Sequence, residues 1–311
     1  MRITAIGEIL IDLTQAGFDA DGNAVFAAIP GGAPANVAVA ARKLGAETAF
    51  IGCVGDDAFG RILVSTLNKF GVDSSALDVT DRASTTLAVV TVDGKGERSF
   101  SFCRKPGADT RIDAKKAANA AECAGILHFG SVSLTDPDSR ASVASAVRAA
   151  KQAGALITYD PNYRASLWKD GSTAKRIIRK PIPYCDIIKI SDEETELLTG
   201  TADIEKAADK LIARGVSIVI VTLGAEGAYW RTAEGSGRVP GFKVKVADTN
   251  GAGDTFFGAF LSRIAKRGGI EGITADELDE FVRFANKAAS ITASRRGAIP
   301  AMPTLDEVSE V

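Results

Sequence analysis

The chain is short of the residues that most often carry catalysis. Among 311 residues it has a single histidine, His128. A Ser/His/Asp triad has only that imidazole to draw on, and a centre built on several histidines is excluded. Acid and base chemistry falls to carboxylates. The four cysteines, Cys53, Cys103, Cys123 and Cys185, lie far apart and make no Cys-x-x-Cys pair. They read as reduced, buried small side chains rather than a disulfide framework or a zinc site. No apolar run nears the ~18 residues of a membrane span. The first residues, broken by Glu8 and Asp12, do not read as a signal peptide, so a cytoplasmic protein is expected. Neither sign of charge dominates: 37 basic residues face 39 acidic ones, a net charge of −2. Nucleic acid and anionic membranes are therefore excluded as expected partners.

What is present has the balance of a folded enzyme-sized domain, 46% hydrophobic and 24% charged. A chain of this length buries about three-quarters of its extended surface. Short β-branched runs at 3–10, 48–52, 125–129, 155–159, 187–190, 218–222, 227–232 and 242–246 alternate with amphipathic stretches at 36–44, 58–70, 139–152, 204–213 and 256–265. That alternation predicts an α/β fold, a central mostly parallel sheet flanked by helices. Two segments depart from it. Residues 84–104 read as a hairpin turning at Asp93-Gly94-Lys95-Gly96, and 14–30 as strand and turn with Asp21-Gly22-Asn23 at the tip. They are expected to form a small β-sheet lid, leaving 1–13, 31–83 and 105–311 as the α/β core. Phe100, Phe102 and Arg104 alternate onto one face, which suits a strand packed on its own core or a cover over a cleft.

The strongest local signal is Asp248-Thr249-Asn250-Gly251-Ala252-Gly253-Asp254-Thr255-Phe256-Phe257-Gly258. A strand is expected to end near Val246 and a helix to begin near Asp254. Glycines just before a helix leave its bare amides open to an anion such as phosphate. Asp254, at the rim, is placed to take a proton from a substrate hydroxyl; a glycine turn with Asp254 as a plain N-cap explains the same residues. Gly31-Gly32-Ala33-Pro34-Ala35-Asn36 precedes a second helix and reads either as a turn with proline near its first position or as a backbone that approaches a polyol. Asp160-Pro161-Asn162-Tyr163-Arg164 follows a strand, at the sheet end where α/β folds bind ligands. Ser191-Asp192-Glu193-Glu194 does the same and is also a capping box; beside a phosphate pocket its carboxylates could hold hydrated Mg²⁺. His128 reads as a core or cleft-wall residue.

Taken together, these segments resemble the ribokinase-like (PfkB) carbohydrate kinases over essentially the whole chain. Gly31-Gly32-Ala33-Pro34-Ala35-Asn36-Val37-Ala38 is similar to that family's N-terminal signature, and Asp248-Thr249-Asn250-Gly251-Ala252-Gly253-Asp254 to its C-terminal one. Within the family the likeness is greatest to fructokinases, on the words 7–12, 102–109, 128–134, 160–164 and 188–194. The resemblance implies transfer of the ATP γ-phosphoryl group to a sugar hydroxyl, fructose to fructose 6-phosphate first. Asp254 would be the base, with Gly251, Ala252 and Gly253 as anion hole. Asp12, Gly31, Gly32, Asn36, Arg104, Asn162 and Arg164 would hold the sugar. Lys189, Thr222, Gly224, Gly227 and Asn286 would lie along ATP, and Glu194 would organise Mg²⁺ through water. Ser191 stands where many members have asparagine, so the magnesium motif is half present. A loop for a monovalent cation such as K⁺, common in the family, would map to Asp248, Asn250, Thr292, Arg295, Gly297 and Ala301. Phosphoryl transfer rests on positioning and charge neutralisation, and needs no histidine.

Other readings stay open at this point. A 2-keto-3-deoxygluconate kinase shares these signatures, with Arg104 and Arg164 available for the acid's carboxylate; a ribokinase is a further alternative. A catalytically silent sugar- or nucleotide-binding regulator is the rival of another class, against which the intact Asp254 and its glycines argue. An exposed apolar lid face is expected to pair with another lid, giving a homodimer.

Overall fold

A computed structural model describes residues 1–92 and 98–309, with backbone placement alone for 91, 92 and 98–100. The expected turn at Asp93-Gly94-Lys95-Gly96 and the Phe100 side chain lie outside the described residues. The strands are β1 (Ile3–Ile6), β2 (Leu10–Phe18), β3 (Ala24–Gly31), β4 (Thr48–Gly55), β5 (Asp73–Thr80), β6 (Leu87–Val92), β7 (Arg98–Cys103), β8 (Ile126–Gly130), β9 (Leu156–Asp160), β10 (Ile187–Ser191), β11 (Ile218–Thr222), β12 (Ala228–Arg231) and β13 (Ser236–Val239). Nine of them form one sheet in the order β13-β12-β11-β10-β9-β8-β1-β4-β5, parallel except at β11–β12 and β12–β13. The other four form a separate small sheet, β3-β2-β6-β7, in which β2 runs parallel to β6 and the outer pairs are antiparallel.

The large sheet is buried on both faces, as the apolar runs require. Along β10 and β11 the period of two sends Ile187, Ile218 and Ile220 to one side and Ile188, Val219 and Val221 to the other. On the first side the helix Ala252–Arg267 packs through Phe257 and Phe260. It crosses the helix Ala33–Lys43 so closely that a Cβ on Gly258 would stand 2.7 Å from the Val37 carbonyl oxygen. Only a bare backbone fits there, and this contact brings the two glycine-led helix starts together. Among the described residues no helix is long and apolar enough to cross a membrane.

Four expectations need correction. Cys103 and Cys123, expected to be buried, are exposed, while Cys53 and Cys185 are buried. The single strand expected over 3–10 is two strands in different sheets, divided at Gly7 with φ 151°. A side chain there would meet Pro34 and Ser133 at 2.8 and 2.9 Å. The strand expected over 242–246 does not form. Pro240 and Gly241 follow the end of β13, and Phe242, Val244 and Val246 stay exposed, with no layer for their alternating face to cover. The terminal helix of the phosphate motif starts at Ala252, not Asp254. The longest helix, Ala275–Ala293, and the strand β5 were not anticipated.

Candidate active site

Gly251 takes the left-handed conformation, φ 73°, and turns the chain into the helix Ala252–Arg267. The first helical bond runs from the Thr255 amide to the Gly251 carbonyl at 2.8 Å, so the amides of Gly253 and Asp254 precede it. Lys189 Nζ would lie 3.1 Å from a Cβ on Gly253, which puts a cation beside these amides. Asp254 does not cap the helix. Its side chain is buried, with Oδ2 accepting from Asn36 Nδ2 at 2.8 Å and Oδ1 from Asn162 Nδ2 at 2.9 Å. Burial lifts its pKa above the usual carboxylate range, against the Asn36 hydrogen bond and the charges of Lys189 and Arg164. The two bonds fix the carboxylate in place.

Around it, Asp12, Gly32, Asn36, Asn162, Arg164, Asn250 and Gly251 line one cavity, with Val132, Phe102 and Ala298 on its walls. The glycines are dictated by space. A Cβ at Gly31 would meet Asp12 Oδ2 at 2.5 Å, and one at Gly32 the Glu8 carbonyl oxygen at 2.5 Å. Burial pushes Asp12 up to about 6, with Arg164 opposing it. Asn36 Oδ1 is buried and lacks a hydrogen-bond partner among the described residues, so an acceptor waits for a hydroxyl or ammonium donor. Asn162 reaches its position through a left-handed backbone, φ 43°. A carboxylate not singled out from the sequence also lines the cavity. Glu8 accepts from the Ala33 amide at 3.2 Å and from Ser133 Oγ at 3.3 Å, and burial pushes its pKa up to about 7. An acidic residue inside an apolar run was its signal.

Arg104 is not brought to this cavity. It pairs with buried Asp109 at 2.6 Å and donates to Thr135 Oγ1 at 2.6 Å and the Val132 carbonyl at 3.2 Å. It therefore braces the wall that carries Val132. On the other flank Lys189 pairs with Asp160 at 2.8 Å, both buried. Burial opposes the Lys189 charge, but Asp160, Glu194 and Asp254 outweigh it and raise its pKa. Glu194 forms the capping box foreseen: Oε2 accepts from the Ser191 amide at 2.9 Å and its hydroxyl at 3.3 Å. Oε1 accepts from the Tyr163 amide at 2.7 Å. Among the described residues no cluster of three or more His, Cys, Asp and Glu side chains suits a metal ion.

Thr222, Gly224, Gly227 and Asn286 gather where β11 turns into β12. Gly227 faces the Val239 carbonyl so closely that a Cβ would be 2.1 Å away, and Asn286 Nδ2 donates to the same carbonyl at 3.1 Å. Asp248 accepts from the amides of Asn250 at 3.0 Å and Gly297 at 3.1 Å, drawing the loop before the helix onto the segment after Ala293. Arg295 and Ala301 belong to that segment and Thr292 to the last turn of the helix before it: the Arg295 amide bonds the Thr292 carbonyl and its guanidinium approaches the Ala301 carbonyl at 3.5 Å. His128 is a core residue, buried beside Thr158 and edge-on to Phe257, with burial pushing its pKa down to about 3.

A buried carboxylate at the rim of bare helix amides, in a cavity of hydroxyl-binding groups, suits proton removal beside a phosphate. The chain is similar to known carbohydrate kinases over nearly its whole length. Residues 2–305 match the family model described as pfkB family carbohydrate kinase. Fructokinase-2 of Solanum habrochaites is 41% identical over 98% of this chain and 94% of its own. The structure of the Xylella fastidiosa fructokinase with bound ATP superposes with a TM-score of 0.91 at 33% identity, covering 99% of this chain and 97% of that one. The Vibrio cholerae O395 fructokinase with fructose, ADP and a calcium ion gives 0.88 at 32% identity, covering 99% and 98%. A double mutant of the Vibrio cholerae enzyme holds fructose, ADP and a potassium ion, with a TM-score of 0.88 at 32% identity, covering 99% and 97%.

Proposed function

Because the chain belongs to the PfkB family of carbohydrate kinases, we propose that it transfers the γ-phosphoryl group of ATP to the 6-hydroxyl of fructose. The observation that carries this reading is Asp254, a buried carboxylate held by Asn36 and Asn162 beside the unbonded amides of a helix start. Asp254 takes the hydroxyl proton as the sugar oxygen bonds to the γ-phosphorus and the bond to the β-phosphate oxygen breaks, releasing ADP. The free amides of Gly253 and Asp254 and the Lys189 charge meet the phosphoryl oxygens, whereas the Ala252 amide is taken up by the Thr249 carbonyl at 3.3 Å. Asn36 Oδ1, Asp12 and Arg164 hold the sugar. Thr222, Gly224, Gly227 and Asn286 form the nucleotide side.

Divalent metal fits the donors only indirectly. Oε2 of Glu194 is used twice and Oε1 once, leaving Oε1 to orient a water on the ion. Mg²⁺ held there through water would neutralise charge on the phosphates. A K⁺ ion would take backbone carbonyl oxygens from the two segments that the Asp248 carboxylate draws together. The small sheet is a lid over the sugar, reaching it through Phe102. The test is ADP release over fructose, 2-keto-3-deoxygluconate, ribose, glucose and adenosine. Fructose is expected to give the highest kcat/KM. Preference for the sugar acid would replace the substrate, and no ADP with any acceptor would overturn the kinase reading.

A further inference from the structure

A second cavity lies between the helices Pro137–Gln152 and Gly171–Ile178 and shares no residue with the one at Asp254. Its volume is about 240 Å³. Phe129, Leu134, Val143 and Ile177 form its floor and are all buried in the core, so the hole is an opening into the main apolar cluster. Its charged lining is of one sign: Arg140, Arg148 and Lys180, with no carboxylate. Arg140 donates to the Leu134 carbonyl at 2.9 Å. Among the described residues the Arg148 and Lys180 side chains make no hydrogen bond or ion pair, and both are exposed at the mouth.

An apolar hole under a cationic rim has two unmet demands. The apolar lining gains where its hydrocarbon is still open to water, above all at Tyr184 and less at Val147 and Ile177, and the rim gains by an anion that guanidinium and ammonium donors can share. One small molecule meets both when its tail is apolar and its head is a carboxylate. A neutral amphiphile leaves the rim unanswered, and a cationic one is repelled by it. We infer that this hole binds a small amphipathic carboxylate, tail along Tyr184, Val147 and Ile177, head among the rim cations. This does not depend on the sugar-kinase reading.

Calorimetric titration of the full chain with octanoate, octanol and octylammonium tests it. Octanoate is expected to bind with a Kd below about 1 mM, and the other two at least ~10-fold more weakly. Ala144 lines the hole yet is exposed on the helix surface, so Ala144→Phe fills the mouth without touching the floor. That variant should lose octanoate, and Arg148→Glu with Lys180→Glu should weaken it by ~10-fold or more, each with an unchanged melting temperature. No octanoate binding by the wild type overturns the inference. So does equal binding by Ala144→Phe, or octanol or octylammonium binding as tightly as octanoate. A lowered melting temperature in one variant leaves the other, at separate exposed positions, to decide.

Discussion

Asp254 accepts a hydrogen bond on each oxygen from a side-chain amide that can turn around. Asn36 has a spare buried carbonyl oxygen, so in Asp254→Asn the amide of Asn36 can flip and accept from the new one. The variant is therefore expected to fold, to bind ATP and fructose near normally, and to lose turnover by at least about 10²–10⁴-fold. ADP release together with calorimetric binding checks this; near-normal turnover would remove Asp254 from the base role. Since burial raises its pKa, turnover should fall with acid from a higher pH than an ordinary carboxylate allows, because only the ionised form accepts the proton. Glu194→Gln separates two roles of one side chain. A glutamine has one acceptor where the glutamate uses two, so either the Tyr163 or the Ser191 amide loses its partner, about 1–3 kcal/mol of stability. If Oε1 also orients water on Mg²⁺, half-saturation by Mg²⁺ rises as well. A lower melting temperature at unchanged Mg²⁺ dependence would leave the capping box as its whole role. At this scale the sequence was legible wherever chemistry needs glycine or a carboxylate beside it. It was less so for Glu8, an acid in an apolar run that the structure places between β1 and β2, and for Arg104, whose partner Asp109 is visible only once the chain has folded.

Elements explain why two motifs at opposite ends of the chain make one site. The helix Ala33–Lys43 carries Asn36 and the helix Ala252–Arg267 carries Asp254, and Gly258 is the point where they touch. A Cβ there would also stand 2.7 Å from the Ala40 Cβ, so Gly258→Ala must push the helices apart. The expected cost is about 1–3 kcal/mol of stability, with a fall in kcat as the Asn36–Asp254 bond lengthens. A melting curve and steady-state kinetics read both; a variant with normal kcat would show that the crossing does not set the catalytic geometry. The strands around these helices were legible through period-two runs, but element ends were less so. The exposed run 242–246 has a strand's alternation and lacks a neighbour, since pairing is a property of the sheet rather than the segment. The helix Ala275–Ala293 carries its own start signal, the Thr274–Glu277 capping box, but no strand run precedes it to mark it as part of a βα unit.

For the whole molecule the question is what covers the small sheet. Its two excursions were legible as interruptions of the α/β alternation, though β2 begins at Leu10, ahead of the boundary expected at 14. Pairing of β2 with β6 joins segments some 70 residues apart, which no local pattern announces. The edge strand β3 reads Ala24-Val25-Phe26-Ala27-Ala28 on exposed positions, with Phe26 39% exposed and Val25 43%. An unpaired edge that is apolar on both sides invites a second copy, because burying it against water-covered surface gains nothing. We propose that two lids pack through β3 and that closure over fructose excludes water, which competes with the sugar hydroxyl for the phosphoryl group. Phe26→Lys puts a charge on that edge without altering the cavity, which Phe26 does not line. Sedimentation should find the wild type dimeric and the variant shifted to monomer, with a raised fructose KM and ATP hydrolysed without sugar transfer. A wild type that is monomeric at assay concentrations sinks the pairing. A monomeric variant with unchanged fructose kinetics keeps the pairing and removes its part in closure.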